Sequence, residues 1–194
     1  MAMSEKRREE IKQFRRRQIM DASLRLFDEK GFRETTIKDI AEAAGISSGL
    51  IYRYFKSKDE ILESYAELIE PCEKECQAQN PPTEALRLYA RRTLGNPGET
   101  GYKSPLRVYI MCYIRGYLSE EMTNRYFRSD HGRHVFSPVI KRGQETGEFR
   151  QGNPDEMADL FWNYLIGCAT TLVLNRPVPF HTPDIQPIID LLKA

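Results

Sequence analysis

The sequence predicts an all-α protein, with an N-terminal three-helix unit containing a helix-turn-helix and then a C-terminal helical bundle, about nine helices in total. Apolar residues recur at helical spacing along nearly the whole chain. Gly and Pro clusters interrupt those stripes. No alternating strand pattern of useful length appears, and there is no internal repeat.

The first helix is set by Ile19, Ala22, Ser23, Leu26 and Phe27, and it runs to about Lys30 before Gly31. Ile11 and Phe14 extend the stripe backward. Thr35 or Thr36 caps a second helix carrying Ile37, Ile40, Ala41 and Ala44, and Gly45 ends it. Ser47 caps a third, which packs through Ile51 and Phe55. Ser57 caps a fourth, with Glu60 completing a capping box. Its stripe is Ile61, Leu62, Tyr65, Leu68 and Ile69, with a bend expected at Pro71 and a break at Pro81-Pro82.

The second half continues in the same pattern. Ala85, Leu86, Leu88, Tyr89 and Leu94 fit one helix, ended by Gly95-Asn96-Pro97-Gly98. From Pro105 a helix is apolar nearly all round, which predicts burial. Glu120 to about Thr146 comes next, interrupted near Asp130-His131-Gly132 and with a kink expected at Pro138. A long helix starts at Pro154 and runs to about Leu174, broken by Pro177 and Pro179. Thr182 or Asp184 begins the last, with Ile185, Ile188, Ile189 and Leu192 on one face. The expected domains are residues 1–60 and 61–194.

No apolar run reaches the roughly 18 residues of a membrane span. The basic N-terminus lacks the apolar core of a signal peptide. Cys72, Cys76, Cys112 and Cys168 are too scattered for a disulfide scaffold. The expectation is a cytoplasmic protein without membrane contact. Net charge is only +1, but residues 1–17 hold seven Lys or Arg against three Glu. A basic arm beside a helix-turn-helix is an electrostatic footprint for nucleic acid, with a solvated helix extension as the bland reading.

Catalytic and metal chemistry find little support. Gly45-Ile46-Ser47-Ser48-Gly49 matches the spacing of a hydrolase nucleophile elbow, which needs a strand before it; here a helix precedes it. Cys72 with Cys76 and His131 with His134 only caricature a metal site. No enzyme activity, cofactor or metal is expected.

Residues 35–58 carry the functional signal. On a helical wheel Gly49, Tyr52, Arg53 and Lys56 point away from the Ile51–Phe55 face, an arrangement suited to a DNA major groove. Together with Phe27, Gly31-Phe32, Thr35-Thr36-Ile37, Ile40-Ala41, Ala44-Gly45-Ile46-Ser47 and the run Tyr52 to Lys58, the stretch from about residue 13 to residue 62 resembles the DNA-binding domain of TetR-family transcriptional regulators. The resemblance implies DNA contacts from Thr36, Lys38, Ser48, Gly49, Leu50, Tyr52, Arg53, Tyr54 and Lys58. Ile37 falls at a contact position but has no polar group, and Tyr54 divides between core and phosphate contact.

The resemblance also implies a ligand-released repressor that binds a palindromic double-stranded operator as a homodimer. It implies a small effector, here one with an apolar body, in the second domain. Tyr89, Tyr109, Tyr113, Tyr117, Phe127, Phe161 and Tyr164, with Trp162 beside them, are the pocket candidates, packing being their bland reading. Phe161, Leu165, Cys168, Leu172, Ile185, Ile189 and Leu192 are the dimer-interface candidates, with Gly167 allowing close approach. Effector binding is expected to tilt the fourth helix as a lever. The alternative is a DNA-bound module whose second half contacts another protein.

Overall fold

The computed structural model describes residues 5–95, 105–127, 130–174 and 184–194, with the backbone alone over 172–174. Among these residues the chain is helical, with a single isolated antiparallel bridge between Phe149 and Lys193. It divides into two compact units, Met1–Ala66 and Glu67–Ala194.

The first unit holds α1 (Glu5–Glu29), α2 (Ile37–Ala43), α3 (Ser48–Ile51) and α4 (Lys58–Glu63). Its core is the set the stripes predict: Ile19, Phe27, Ile40, Ile51, Phe55, Ile61 and Tyr65 are each at most 1% exposed. Phe27 meets Phe32 edge-on at 5.0 Å. The buried Tyr65 hydroxyl is satisfied by Ser23, 2.9 Å away. The basic N-terminal stretch is an exposed helical extension of α1, with Ile11 and Phe14 in solvent.

The second unit holds α5 (Ala66–Ala78), α6 (Pro82–Leu94), α7 (Pro105–Ile114), α8 (Glu120–Phe127), α9 (His131–Glu145), α10 (Pro154–Leu174) and α11 (Gln186–Leu192). Among the described residues eleven segments stand where the stripes count about nine, two of the expected helices each being divided. The fourth expected helix is two segments parted at Ser64-Tyr65, and Glu120 to Thr146 is two. Helix continues through Pro71 in α5 and Pro138 in α9. Of the expected breaks, Asn96-Pro97-Gly98, Pro177, Pro179 and Thr182 lie outside the described residues. α11 begins later than expected, with Asp184 Oδ1 accepting the Gln186 amide at 2.9 Å.

One apolar cluster joins α5, α6, α7, α9, α10 and α11. Two glycines set its closest approaches. A Cβ on Gly132 would stand 2.6 Å from Trp162 Cβ, and one on Gly143 would overlap the Phe149 ring. The C-terminus is tied to the turn after α9: the Arg150 amide donates to Leu192 O at 2.9 Å and the Ala194 amide to Glu148 O at 3.3 Å.

Candidate nucleic-acid interface

Local chemistry fixes the helix-turn-helix. Thr36 forms a reciprocal capping box with Asp39: its Oγ1 accepts the Asp39 amide at 3.1 Å, and Asp39 Oδ2 accepts the Thr36 amide at 2.8 Å. The Thr36 hydroxyl and then its amide hold the Asp39 carboxyl below its usual value, with Lys30 adding to this. Thr35 has a different task. Its hydroxyl donates to Gly31 O at 2.7 Å and closes the end of α1. Gly45 takes φ +66, the left-handed conformation the turn requires.

Ser47 Oγ accepts the Leu50 amide at 3.3 Å and starts α3. α3 is shorter than its stripe suggests, only four α-helical residues. The chain then tightens: the Arg53 amide reaches Leu50 O at 3.2 Å and the Tyr54 amide reaches Ile51 O at 2.8 Å, both i to i−3. Ile51 and Phe55 are buried beneath it as expected. A helix this short has little macrodipole, so phosphate attraction rests on side chains and local amides.

α1 secures this reader from below. Arg16 donates to Tyr54 O at 2.9 Å and lies 4.3 Å over the Phe55 ring. Gln18 donates to Ala44 O at 2.6 Å. Sequence spacing does not reveal these two residues, because their partners lie 38 and 26 positions away.

The expected contact residues then divide into groups. Tyr52, 59% exposed, with Arg53, Lys38 and Gly49, is in solvent. The Tyr52, Arg53 and Lys38 side chains make no hydrogen bond or ion pair among the described residues. Ser48, Leu50, Tyr54 and Ile37 are half-buried. Thr36 is exposed but engaged with Asp39. Lys58 is committed elsewhere. Its Nζ donates to Phe32 O at 2.6 Å, Thr35 O at 2.8 Å and Arg33 O at 3.3 Å. Three carbonyls match the three donors of an ammonium, so Lys58 fastens the turn between α1 and α2. The Glu60 carboxylate takes the Lys56 amide, while Ser57 Oγ caps α4 as expected.

In the second unit the expected sites separate. Tyr89, Tyr109 and Phe161 are fully buried; Tyr89 and Phe161 pack edge-on against Phe136, and Tyr109 stacks on Tyr126. Tyr113 is 46% exposed and stacks on Phe127 at 4.4 Å. Tyr117 is half-buried, and the half-buried Tyr164 donates to Asp184 O at 2.9 Å. These aromatics are core and surface residues, several of them packed against other rings. The dimer candidates need correction too. Phe161, Leu165, Cys168, Ile185, Ile189 and Leu192 are buried within the unit, because α7, α9 and α11 take up those faces. The Leu172 side chain lies outside the described residues. The open face of α10 is Leu160, Asn163, Gly167 and Thr171.

The sequence also gives no prominence to a buried polar group. Glu73 Oε1 stands 3.6 Å from His131 Nε2, with side-chain exposures of 20% and 7%. Both atoms and the Tyr126 hydroxyl are buried without a hydrogen-bond partner among the described residues. The signal in the sequence is a Glu at a core position of the stripe Ile69, Glu73, Cys76. Burial raises the Glu73 carboxyl and pushes the Tyr126 phenol up to about 12. Burial also lowers His131 to about 4, opposed by the Arg125 backbone; His134 and the Arg125 charge lower it further and Asp130 raises it.

These shifts give stability a pH dependence of definite sign. Unfolded histidine titrates near 6.5. Between there and about 4 the unfolded chain binds a proton that folded His131 refuses, so stability falls with falling pH. Glu73 acts oppositely, since a raised carboxyl favours the folded state on acidification. The expected result is that wild type loses up to about 3 kcal/mol relative to His131→Asn between pH 7 and pH 4. Urea titrations of both proteins across that range check it; parallel curves would refute it.

No group of three or more His, Cys, Asp or Glu among the described residues could hold a metal ion. All four cysteines are free, and burial pushes Cys76 up to about 12, which makes it an inert thiol. No described helix is long and apolar enough to cross a membrane.

Residues 19–65 match the model of bacterial regulatory proteins of the tetR family. Over 151 residues the chain is 30% identical to the transcriptional repressor KstR2 of Rhodococcus jostii (strain RHA1), covering 76% of this chain and 74% of the repressor. The chain belongs to the TetR family. It is therefore a DNA-binding transcriptional regulator and not an enzyme. Solved structures share its fold. KstR2 of Mycobacterium tuberculosis superposes with a TM-score of 0.57 at 20% identity, over 93% of this chain and 95% of its own. A Saccharomonospora viridis regulator in complex with choline gives 0.64 at 21% identity, over 91% and 92%. At these identities the likeness speaks to fold alone.

Proposed function

We propose that this TetR-family protein is a ligand-released repressor that binds a palindromic operator as a homodimer in the cytoplasm. In this reading the first unit reads DNA and the second binds the effector and its partner copy. The observation that carries it is the reader: Tyr52 and Arg53 in solvent without partners among the described residues, on a turn held by buried Ile51 and Phe55. Ser48, Gly49 and Leu50 present the start of α3 to the groove, with Thr36, Lys38 and Tyr54 flanking on the backbone side. Lys58 positions the turn beneath them. One short reader covers few base pairs, and paired half-sites about one helical turn apart supply the rest.

The open stripe of α10 suits the dimer, with Leu160, Asn163, Gly167 and Thr171 on one face at i, i+3, i+7 and i+11. Nothing stands within 4 Å of where a Gly167 side chain would begin. Gly167→Arg therefore leaves the fold intact and yields a monomer by sedimentation. Specific over random DNA binding is tested by gel shift across salt, where affinity for the chain's own upstream region falls steeply as phosphate contacts are lost. Equal retention of random DNA at every salt concentration would refute the reading.

Gly49 gives a sharper result. A Cβ there meets nothing within 4 Å in the free protein. Gly49→Ala is expected to hold or slightly raise the Tm, because alanine is the better helix former by up to about 1 kcal/mol. DNA affinity should fall by tenfold or more if backbone contact is the reason for Gly. An unchanged operator affinity assigns Gly49 to helix geometry alone.

A further inference from the structure

We propose that the N-terminal arm of α1 is a second DNA-contacting surface, in which Arg8, Lys12 and Arg15 bind phosphates beside the groove that the reader enters. The inference rests on the DNA-reading site above and adds to it a face outside the family match, which begins at residue 19. α1 runs unbroken from Glu5 to Glu29. Ile19, Ala22, Ser23 and Leu26 form its buried face. Counting back along that face from Ile19 gives Arg15, Lys12 and Arg8, at i−4, i−7 and i−11. One face of one helix is therefore apolar where the unit covers it and basic where the helix leaves the unit.

The helix leaves the unit beside the reader. Arg16 donates to Tyr54 O at 2.9 Å and Gln18 to Ala44 O at 2.6 Å. These two carbonyls flank the segment that carries Ser48, Tyr52 and Arg53. From Arg16 back to Arg8 the helix extends about 12 Å, comparable to the roughly 12 Å width of a major groove. A duplex seated on the reader therefore brings the phosphates along its groove edge under the arm.

The charges on this face are available. Residues 5–14 are all exposed. Arg8 makes no hydrogen bond or ion pair among the described residues. Arg15 donates to Gln18 Oε1 at 2.7 Å and lies against the Phe14 ring, neutral partners that leave its charge uncompensated. Lys12 meets Glu9 at 3.9 Å with both side chains more than half exposed; such a pair is worth little and yields to a phosphate. An anionic lipid surface attracts the same charges, but a helix that lies on a membrane needs an apolar face opposite them. Here the opposite side of the arm carries Lys6, Glu10, Gln13 and Arg17, so a duplex is the partner that fits.

That opposite side supplies the control. The full chain is compared with two double variants: Arg8→Gln with Lys12→Gln on the proposed face, and Lys6→Gln with Arg17→Gln behind it. Each removes two positive charges from exposed positions, and Gln is about as good a helix former as Lys or Arg. Circular dichroism should therefore show the same helicity and Tm in all three proteins. Binding to the chain's own upstream region and to random duplex of equal length is measured across salt. The Arg8 and Lys12 double should flatten the slope of log K against log salt by about 1.8 for each protomer bound, about 0.9 per lost contact, on both DNAs. It should keep the ratio of the two affinities and lose hydroxyl-radical protection of the backbone flanking the reader's half-site. The Lys6 and Arg17 double should keep the wild-type slope and protection. Equal slopes in all three proteins, or equal loss in both doubles, overturn the proposal. Equal slopes with release of the first double alone from phosphatidylserine vesicles reassign the face to a membrane. The slope on random duplex judges the arm separately from the reader: wild type without preference for its upstream region sinks the operator reading and leaves that comparison standing.

Discussion

Gly143→Ala is expected to cost about 2–3 kcal/mol and lower the Tm by roughly 5–10 °C. The new Cβ would lie 2.5 and 2.7 Å from two atoms of the Phe149 ring and closer still to a third. Overpacking of a core costs about 1–3 kcal/mol, and losing a buried Phe altogether about 3–5. Alanine in a helix interior returns up to about 1. The ring has nowhere to go, for Phe149 is 1% exposed and its amide donates to the Gly143 carbonyl at 2.9 Å. The residues either side are held as well, Arg150 to Leu192 and Glu148 to Ala194. A smaller partner should relieve the clash: Phe149→Leu in the Gly143→Ala background should cost less than in wild type, or even restore stability. Additive costs in a double-mutant cycle by urea titration would show that the clash is not the cause.

The first unit is legible from sequence because nearly everything that builds it is local. Ile37, Ile40, Ala41 and Ala44 mark a helix face, Gly45 turns the chain, and Ser47 and Ser57 each cap a helix through an amide three residues on. The side chains that escape are those reaching far along the chain. Lys58 reads as a phosphate contact because it is basic and near the reader, yet its partners are carbonyls 23 to 26 residues earlier. Arg16 is hidden in the same way, one basic residue among many in α1.

The second unit yields its helices and conceals its faces. α10 is apolar almost throughout, so spacing cannot tell which side meets α9 and which stays open. The large residues Phe161, Leu165 and Cys168 suggest a partner's surface but fill the protomer, while small Gly167 and Thr171 are outside. The aromatics mislead for a related reason: eight large rings on several helices look like a lining, but most are mutual packing. Glu73 and His131 sit 58 positions apart, and only the fold brings their side chains to 3.6 Å.

The reader itself should respond most strongly. Tyr52→Ala and Arg53→Ala are each expected to weaken specific operator binding by roughly 1–3 kcal/mol if they touch base edges. The double variant should lose about thirtyfold or more. Neither change should move the Tm, because Tyr52 is 59% exposed and neither side chain has a partner to lose among the described residues. The mode of contact can be separated. A base contact lowers specific affinity and relaxes preference at one position, leaving non-specific binding and the salt slope unchanged. A phosphate contact weakens all sequences about equally and reduces the slope of log K against log salt by about 1. Arg53 can do either, since its guanidinium fits a guanine edge or a phosphate bidentately. Tyr52 carries a single hydroxyl, and its ring can also cover a thymine methyl. An unchanged footprint in both single variants removes these residues from the reader, and DNA contact would then have to come from Lys38 and the basic face of α1.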